Sequence, residues 1–139
     1  MRVVIDTNVL VAASRSRLGA SYKLIAMLPR RHFQPAVSVT LYLEYLDVLL
    51  RPQNIVPGKT AQNALGFIRR FLAFSHRQKI HFNWRPTLKD PSDDFVLELS
   101  IASQSSYIVT FNKRDFGNIE LFGIEAVTPA EFLRLLEKI

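Results

Sequence analysis

The chain of 139 residues contains no cysteine and only five glycines, and no apolar run in it reaches the length of a membrane span. Without cysteine there can be no disulfide and no thiolate-held zinc, a composition that suits a reducing cytoplasm. Glycine is scarce, and no Gly-x-Gly-x-x-Gly follows the first strand-like segment, which argues against dinucleotide binding. His32, His76 and His81 lack the helical spacing of zinc ligands. Acids are outnumbered as well, 12 Asp and Glu against 18 Lys and Arg, giving a net charge of +6 and a pI near 10.0. That balance favours a polyanionic partner, because cations placed against phosphates release counterions. The opening Met1-Arg2-Val3-Val4-Ile5-Asp6 reaches an acid too soon for a signal peptide, so the expectation is a soluble, cytoplasmic protein with no membrane association.

With 48% hydrophobic and 22% charged residues, the chain is expected to fold as one domain over 1–139 around one core. Arg2–Ile5 reads as a buried β-branched strand ending at Asp6-Thr7-Asn8. Residues 20–28 read as a helix closed by Pro29-Arg30-Arg31, and 36–38 as a short strand. Ser38 or Thr40 is positioned to cap an apolar helix over 41–50, and a second helix is expected over 60–76, with a brief strand at 79–82. Ser92 is expected to cap a helix from Asp93 to about Ser103. Tyr107–Thr110 is a clear strand and 125–127 a weak one. Thr128-Pro129-Ala130-Glu131 then reads as a capping box opening the last helix. Alternating strands and helices imply an α/β domain with a mainly parallel sheet and helices on both faces.

Acids occupy unusual places in this pattern. Asp6 and Thr110 end the two strongest strands, where open parallel sheets collect functional groups. Glu44 sits in the apolar Leu41–Leu50 segment, and a carboxylate near a core needs a partner. Asp47 shares its helical face but is expected to meet water. Asp90, Asp93 and Asp94 cluster at the start of an apolar helix, where the helix dipole favours acids. Asp115 follows the Tyr107–Thr110 strand.

Val3-Val4-Ile5-Asp6-Thr7-Asn8-Val9-Leu10, the Glu44 helix, the Asp94 helix and Tyr107-Ile108-Val109-Thr110-Phe111-Asn112-Lys113-Arg114-Asp115-Phe116, in this order, resemble the PIN-domain nucleases, which include the VapC-type toxins of toxin–antitoxin pairs. The resemblance spans nearly the whole chain and implies a PIN-like fold. It makes Asp6, Glu44 and Asp94 metal-binding acids and Asp115 the fourth, with Asn112 where many members carry an acid. It also implies that Thr7, Asn8, Thr110 and Asn112 orient those carboxylates. The implied activity is an Mg²⁺- or Mn²⁺-dependent endoribonuclease leaving 5′-phosphate and 3′-hydroxyl ends, and the implied partners are RNA, a cognate antitoxin and a second copy of the chain.

Such a centre suits hard cations, which prefer oxygen ligands. An acidic centre repels RNA, so a basic rim is needed, and Arg15, Arg17, Lys113 and Arg114 flank the site-bearing segments. Two alternatives compete. A phosphatase with Asp6 as nucleophile would want a second Asp at position 8, where Asn8 stands. A PIN-like RNA- or protein-binding module with weak or no catalysis draws support from Asn112.

Overall fold

The computed structural model describes residues 1–28, 32–80 and 91–139. Among these residues, Arg2–Ile5 forms β1, the middle strand of a five-stranded sheet. Its Val3, Val4 and Ile5 are fully buried, which is why this β-branched run belongs at the centre. The remaining strands are β2 (Gln34–Val37), β3 (His76–Arg77), β4 (Tyr107–Val109) and β5 (Glu125–Val127). Their order is β3-β2-β1-β4-β5, and every pairing is parallel.

Strand order decides where the site lies. The chain winds outward from β1 to β2 and β3, then crosses back to β4 and β5 on the other side. Crossovers in opposite directions place helices on opposite faces and open a crevice at the carboxyl ends of β1 and β4. The register pairs Ile5 with Val109, so Asp6 and Thr110 leave the sheet side by side. Asp6 N–H donates to the Val109 carbonyl at 2.9 Å and Thr110 N–H to the Val127 carbonyl at 2.8 Å, extending the ladder one step into the crevice.

Among the described residues, six α-helices surround the sheet: α1 (Thr7–Arg15), α2 (Ala20–Ala26), α3 (Val39–Leu49), α4 (Ala61–Ala73), α5 (Pro91–Ala102) and α6 (Pro129–Glu137). Among the described residues, no helix is long and apolar enough to cross a membrane. Sequence reading did not anticipate α1, since Thr7, Val9 and Val11 are weak helix formers. Burial overrides propensity there: Val9, Leu10 and Ala13 lie on one inward face, and the Asp6 carboxylate accepts from Thr7 N–H at the helix start. The expected helix over 60–76 ends at Ala73, and strand pairing begins at His76 rather than at Lys79. Residues 81 and 82 of that expected strand, Asp90 and the Pro29-Arg30-Arg31 stop lie outside the described residues. Helix α5 runs Pro91–Ala102, so Ser92 lies within the helix rather than ahead of it as expected.

The other caps are where the sequence puts them. Thr128 and Glu131 bond reciprocally at the start of α6, whose Phe132 and Leu136 are buried. Phe132 meets Phe33 edge-on, with centroids 5.3 Å apart. Ser38, itself buried, caps α3 by accepting from Leu41 N–H at 3.2 Å. That cap sets the phase of the helix that carries Glu44. Ser38→Ala would leave a buried N–H without its acceptor and is expected to lower stability by about 1 kcal/mol. Urea unfolding at constant m-value measures this, and an unchanged midpoint would contradict it.

Candidate active site

Three elements converge on Asp6. From β1 comes the carboxylate itself, with Oδ1 accepting from Thr7 N–H at 2.9 Å. From the end of β4, the fully buried Thr110 donates its hydroxyl to Oδ2 at 2.8 Å, and the Thr110 hydroxyl oxygen in turn accepts from Asn112 N–H at 3.0 Å. Both carboxylate oxygens are thus held before any ligand arrives. Thr7, the first residue of α1, turns its hydroxyl the other way and donates to Glu44 Oε2 on α3. Asp6 and Glu44 are therefore joined through one threonine: its backbone holds the first acid and its side chain the second.

Tyr45 supplies the remaining constraint. Leu41, Tyr45 and Leu49 form the buried row of α3, spaced by four. The Tyr45 hydroxyl donates to the Ile5 carbonyl at 2.6 Å, one residue before Asp6. Its ring meets Phe71 of α4 edge-on at 5.8 Å. Burial, then the charges of Asp6 and Glu44, push the Tyr45 hydroxyl well above its ordinary pKa, so it stays a proton donor. Sequence reading did not single out this residue. The available signal was a tyrosine in the core row of an apolar helix, where a buried hydroxyl must find an acceptor.

Electrostatics separate Asp6 from ordinary surface acids. Burial is the main cause that raises its pKa; the bonds from Thr110 and from Thr7 N–H pull it down, and the charges of Glu44 and Asp115 push it further up. Asp115 is exposed, in the short 3-10 turn Lys113–Phe116 that follows β4. The neighbouring Lys113 pairs with Glu131 of α6 at 3.0 Å, tying that turn to the last helix. The Thr128 backbone bond, then Lys113, hold the Glu131 carboxyl below the usual range.

The other expected residues fall as follows. Asp94 is half-buried in the first turn of α5, a helix that packs against β1, β4 and the 113–116 turn. Asn8 and Asn112 are exposed, and Asn112 enters the network through its backbone. Asp47 pairs with Arg51 at 2.8 Å on the surface, away from the site as expected. Arg15, Arg17 and Arg114 are exposed, whereas Lys113 is engaged by Glu131.

An all-oxygen donor set fits a hard divalent cation. Among the described residues, no three Asp, Glu or His side chains stand together as a finished metal-holding group. What the fold builds is a focus of two carboxylates, with a third acid close enough to act on the first. Mg²⁺ is commonly held by one or two carboxylates, with waters and substrate phosphate completing its shell, so these residues fit such an ion.

The raised Asp6 pKa has a consequence for the cation-free protein. Folding strengthens proton binding at Asp6, so the folded state binds more protons than the unfolded one between the ordinary 3.8 and the raised value. The stability owed to this group is therefore greatest below that window and falls as pH rises through it. Asp6→Asn removes the titration. Denaturant unfolding in chelator is expected to show wild type losing stability relative to Asp6→Asn as pH rises from the ordinary 3.8 through the raised value. A difference that stays flat or changes in the opposite sense would contradict the assignment of burial and like charge as its cause.

A search of curated proteins finds none that matches the chain. Family comparison is informative: residues 2–114 match the PIN domain, a stretch that opens with β1 and runs through α5 and β4 into the Lys113–Phe116 turn. It takes in Asp6, Glu44, Asp94 and Thr110 and stops just short of Asp115. Since the match covers well over half the sequence and the sheet is parallel throughout, the chain belongs to the PIN-domain family, whose members are generally nucleases.

Proposed function

We propose that this protein is a metal-dependent endoribonuclease. The observation that carries the reading is the Thr7 bridge, which holds Asp6 and Glu44 as one unit at the crevice where the strand order reverses. Asp94 and Asp115 are assigned as the further acids, from α5 and from the turn after β4. A divalent cation, when bound, would supply charge neutralisation at a phosphate and a water of lowered pKa. The chain's own part is orientation. Thr110 and Thr7 N–H fix the two Asp6 oxygens, the Thr7 hydroxyl aims Glu44, and Tyr45 anchors the strand end beneath them. The net charge of +6, with exposed Arg15, Arg17 and Arg114, supports a phosphodiester polyanion as substrate.

The same reading makes the protein the toxin of a toxin–antitoxin pair, acting in the cytoplasm as a homodimer and held in check by an antitoxin over the cleft. The likeness of its opening segment and acid order to VapC-type toxins supports this. A second reading, a PIN fold that binds RNA or protein without cutting, is favoured by Asn112 and by the lack of a finished three-acid group among the described residues.

Cleavage separates the two. Purified protein with Mg²⁺ or Mn²⁺ is expected to cut single-stranded RNA internally, and chelator to stop it. Asp6→Asn and Glu44→Gln are each expected to lose about a hundredfold or more in rate while remaining folded by circular dichroism. Wild type that binds RNA but leaves it intact with either ion would establish the binding-module reading instead. Near-wild-type cleavage by either variant would remove that acid from the mechanism.

A further inference from the structure

A second concavity lies away from the acids, between α1, α2, α4 and the segment joining α3 to α4. Its volume is about 490 Å³. Phe71, a floor residue, packs edge-on against Tyr45, so the cavity shares a wall with the scaffold of the acidic site. Tyr22, Phe67 and Phe74 line it with partly exposed aromatic faces. Among its described lining residues, every charged side chain is a cation: Arg17, Lys59 and Arg70. All three are exposed, and neither ion pair among the described residues involves them. Arg70 lies over the Phe74 ring at 5.6 Å, keeping a guanidinium at the mouth.

We propose that this cavity is a nucleotide subsite for single-stranded RNA, taking one unstacked base against its aromatic wall while Arg17, Lys59 and Arg70 hold the flanking phosphates. The combination of cations with exposed aromatic faces is the chemistry by which proteins grip single strands without reading sequence. Size points the same way. Pockets for small ligands run to roughly 300–1,000 Å³, a range that includes this cavity. Position fits as well. Thr7, at the acidic site, and Ser14, at the cavity, are seven residues apart on α1, about 10 Å along its axis. An unstacked strand spans that distance in a nucleotide or two, so the seated base lies close along the chain to the bond at Asp6.

The inference rests on RNA being the substrate, and binding measured in chelator keeps it separable from cleavage. The probes are an unstructured RNA of about a dozen nucleotides, a dinucleotide and AMP. The variant Arg17→Ala/Lys59→Ala/Arg70→Ala changes exposed side chains, and Arg17→Lys/Arg70→Lys preserves charge as a control. The triple variant is expected to bind the long RNA roughly tenfold more weakly, with its log–log salt slope reduced by about two. Its dinucleotide binding should fall far less than its binding of the long RNA, and the lysine control should retain most of the affinity. Unaltered affinity for the long RNA in the triple variant overturns the proposal. AMP binding to the cavity as tightly as the RNA would make it a free-nucleotide site and overturn it too. So would loss of a protein partner by the triple variant with RNA binding intact. RNA held through the cavity but never cut would sink the nuclease reading and leave this one standing. RNA cut normally by the triple variant at limiting concentrations would do the reverse.

Discussion

The bond from the Thr110 hydroxyl to Asp6 Oδ2 joins the ends of two neighbouring strands, and the geometry of the site depends on it. It forms because the parallel register of β1 and β4 brings Ile5 level with Val109, so the next residue on each strand emerges at the same height. Either strand shifted by one residue would turn its site residue to the other face of the sheet. The β-branched burial of Val3, Val4, Ile5, Ile108 and Val109 prevents such a shift. A few angstroms of site geometry are thus fixed by the hydrophobic pattern of two short strands.

On this frame the fold assembles groups that repel one another. Asp6 and Glu44 are both half-buried, and each carries charge that disfavours ionisation of its neighbours. Hydrogen bonds offset part of that penalty by giving each carboxylate a donor, and the buried Tyr45 hydroxyl ties the strand end to α3. Such an arrangement is hard to justify as a means of stability, since like charges in a crevice oppose folding. Under the proposed function, a bound cation would relieve the remaining repulsion.

Much of this was legible in the sequence. The β-branched opening run, Thr110 at the end of its strand and the Thr128-Pro129-Ala130-Glu131 cap each had a local signal, and each stands where that signal pointed. Glu44 stood out because a carboxylate among leucines and tyrosines needs a partner, which is Thr7. Features that depend on tertiary packing were not legible. Helix α1 forms against its own propensity because Val9, Leu10 and Ala13 bury together. The role of Tyr45 depends on a carbonyl forty residues away, and the double duty of Thr7 on the meeting of α1 with α3. The salt bridge that occupies Lys113 likewise required knowing that α6 returns to the turn after β4.

The central claim is that Asp6 and Glu44 act as one cation-binding unit. Calorimetric titration of Mn²⁺ into metal-free wild type, Asp6→Asn, Glu44→Gln and the double variant tests it without reference to any substrate. The account predicts saturable binding by wild type, large losses in each single variant, and a double variant hardly worse than either, because neighbouring ligands of one ion couple strongly. Equal Mn²⁺ affinity in all four proteins would contradict it.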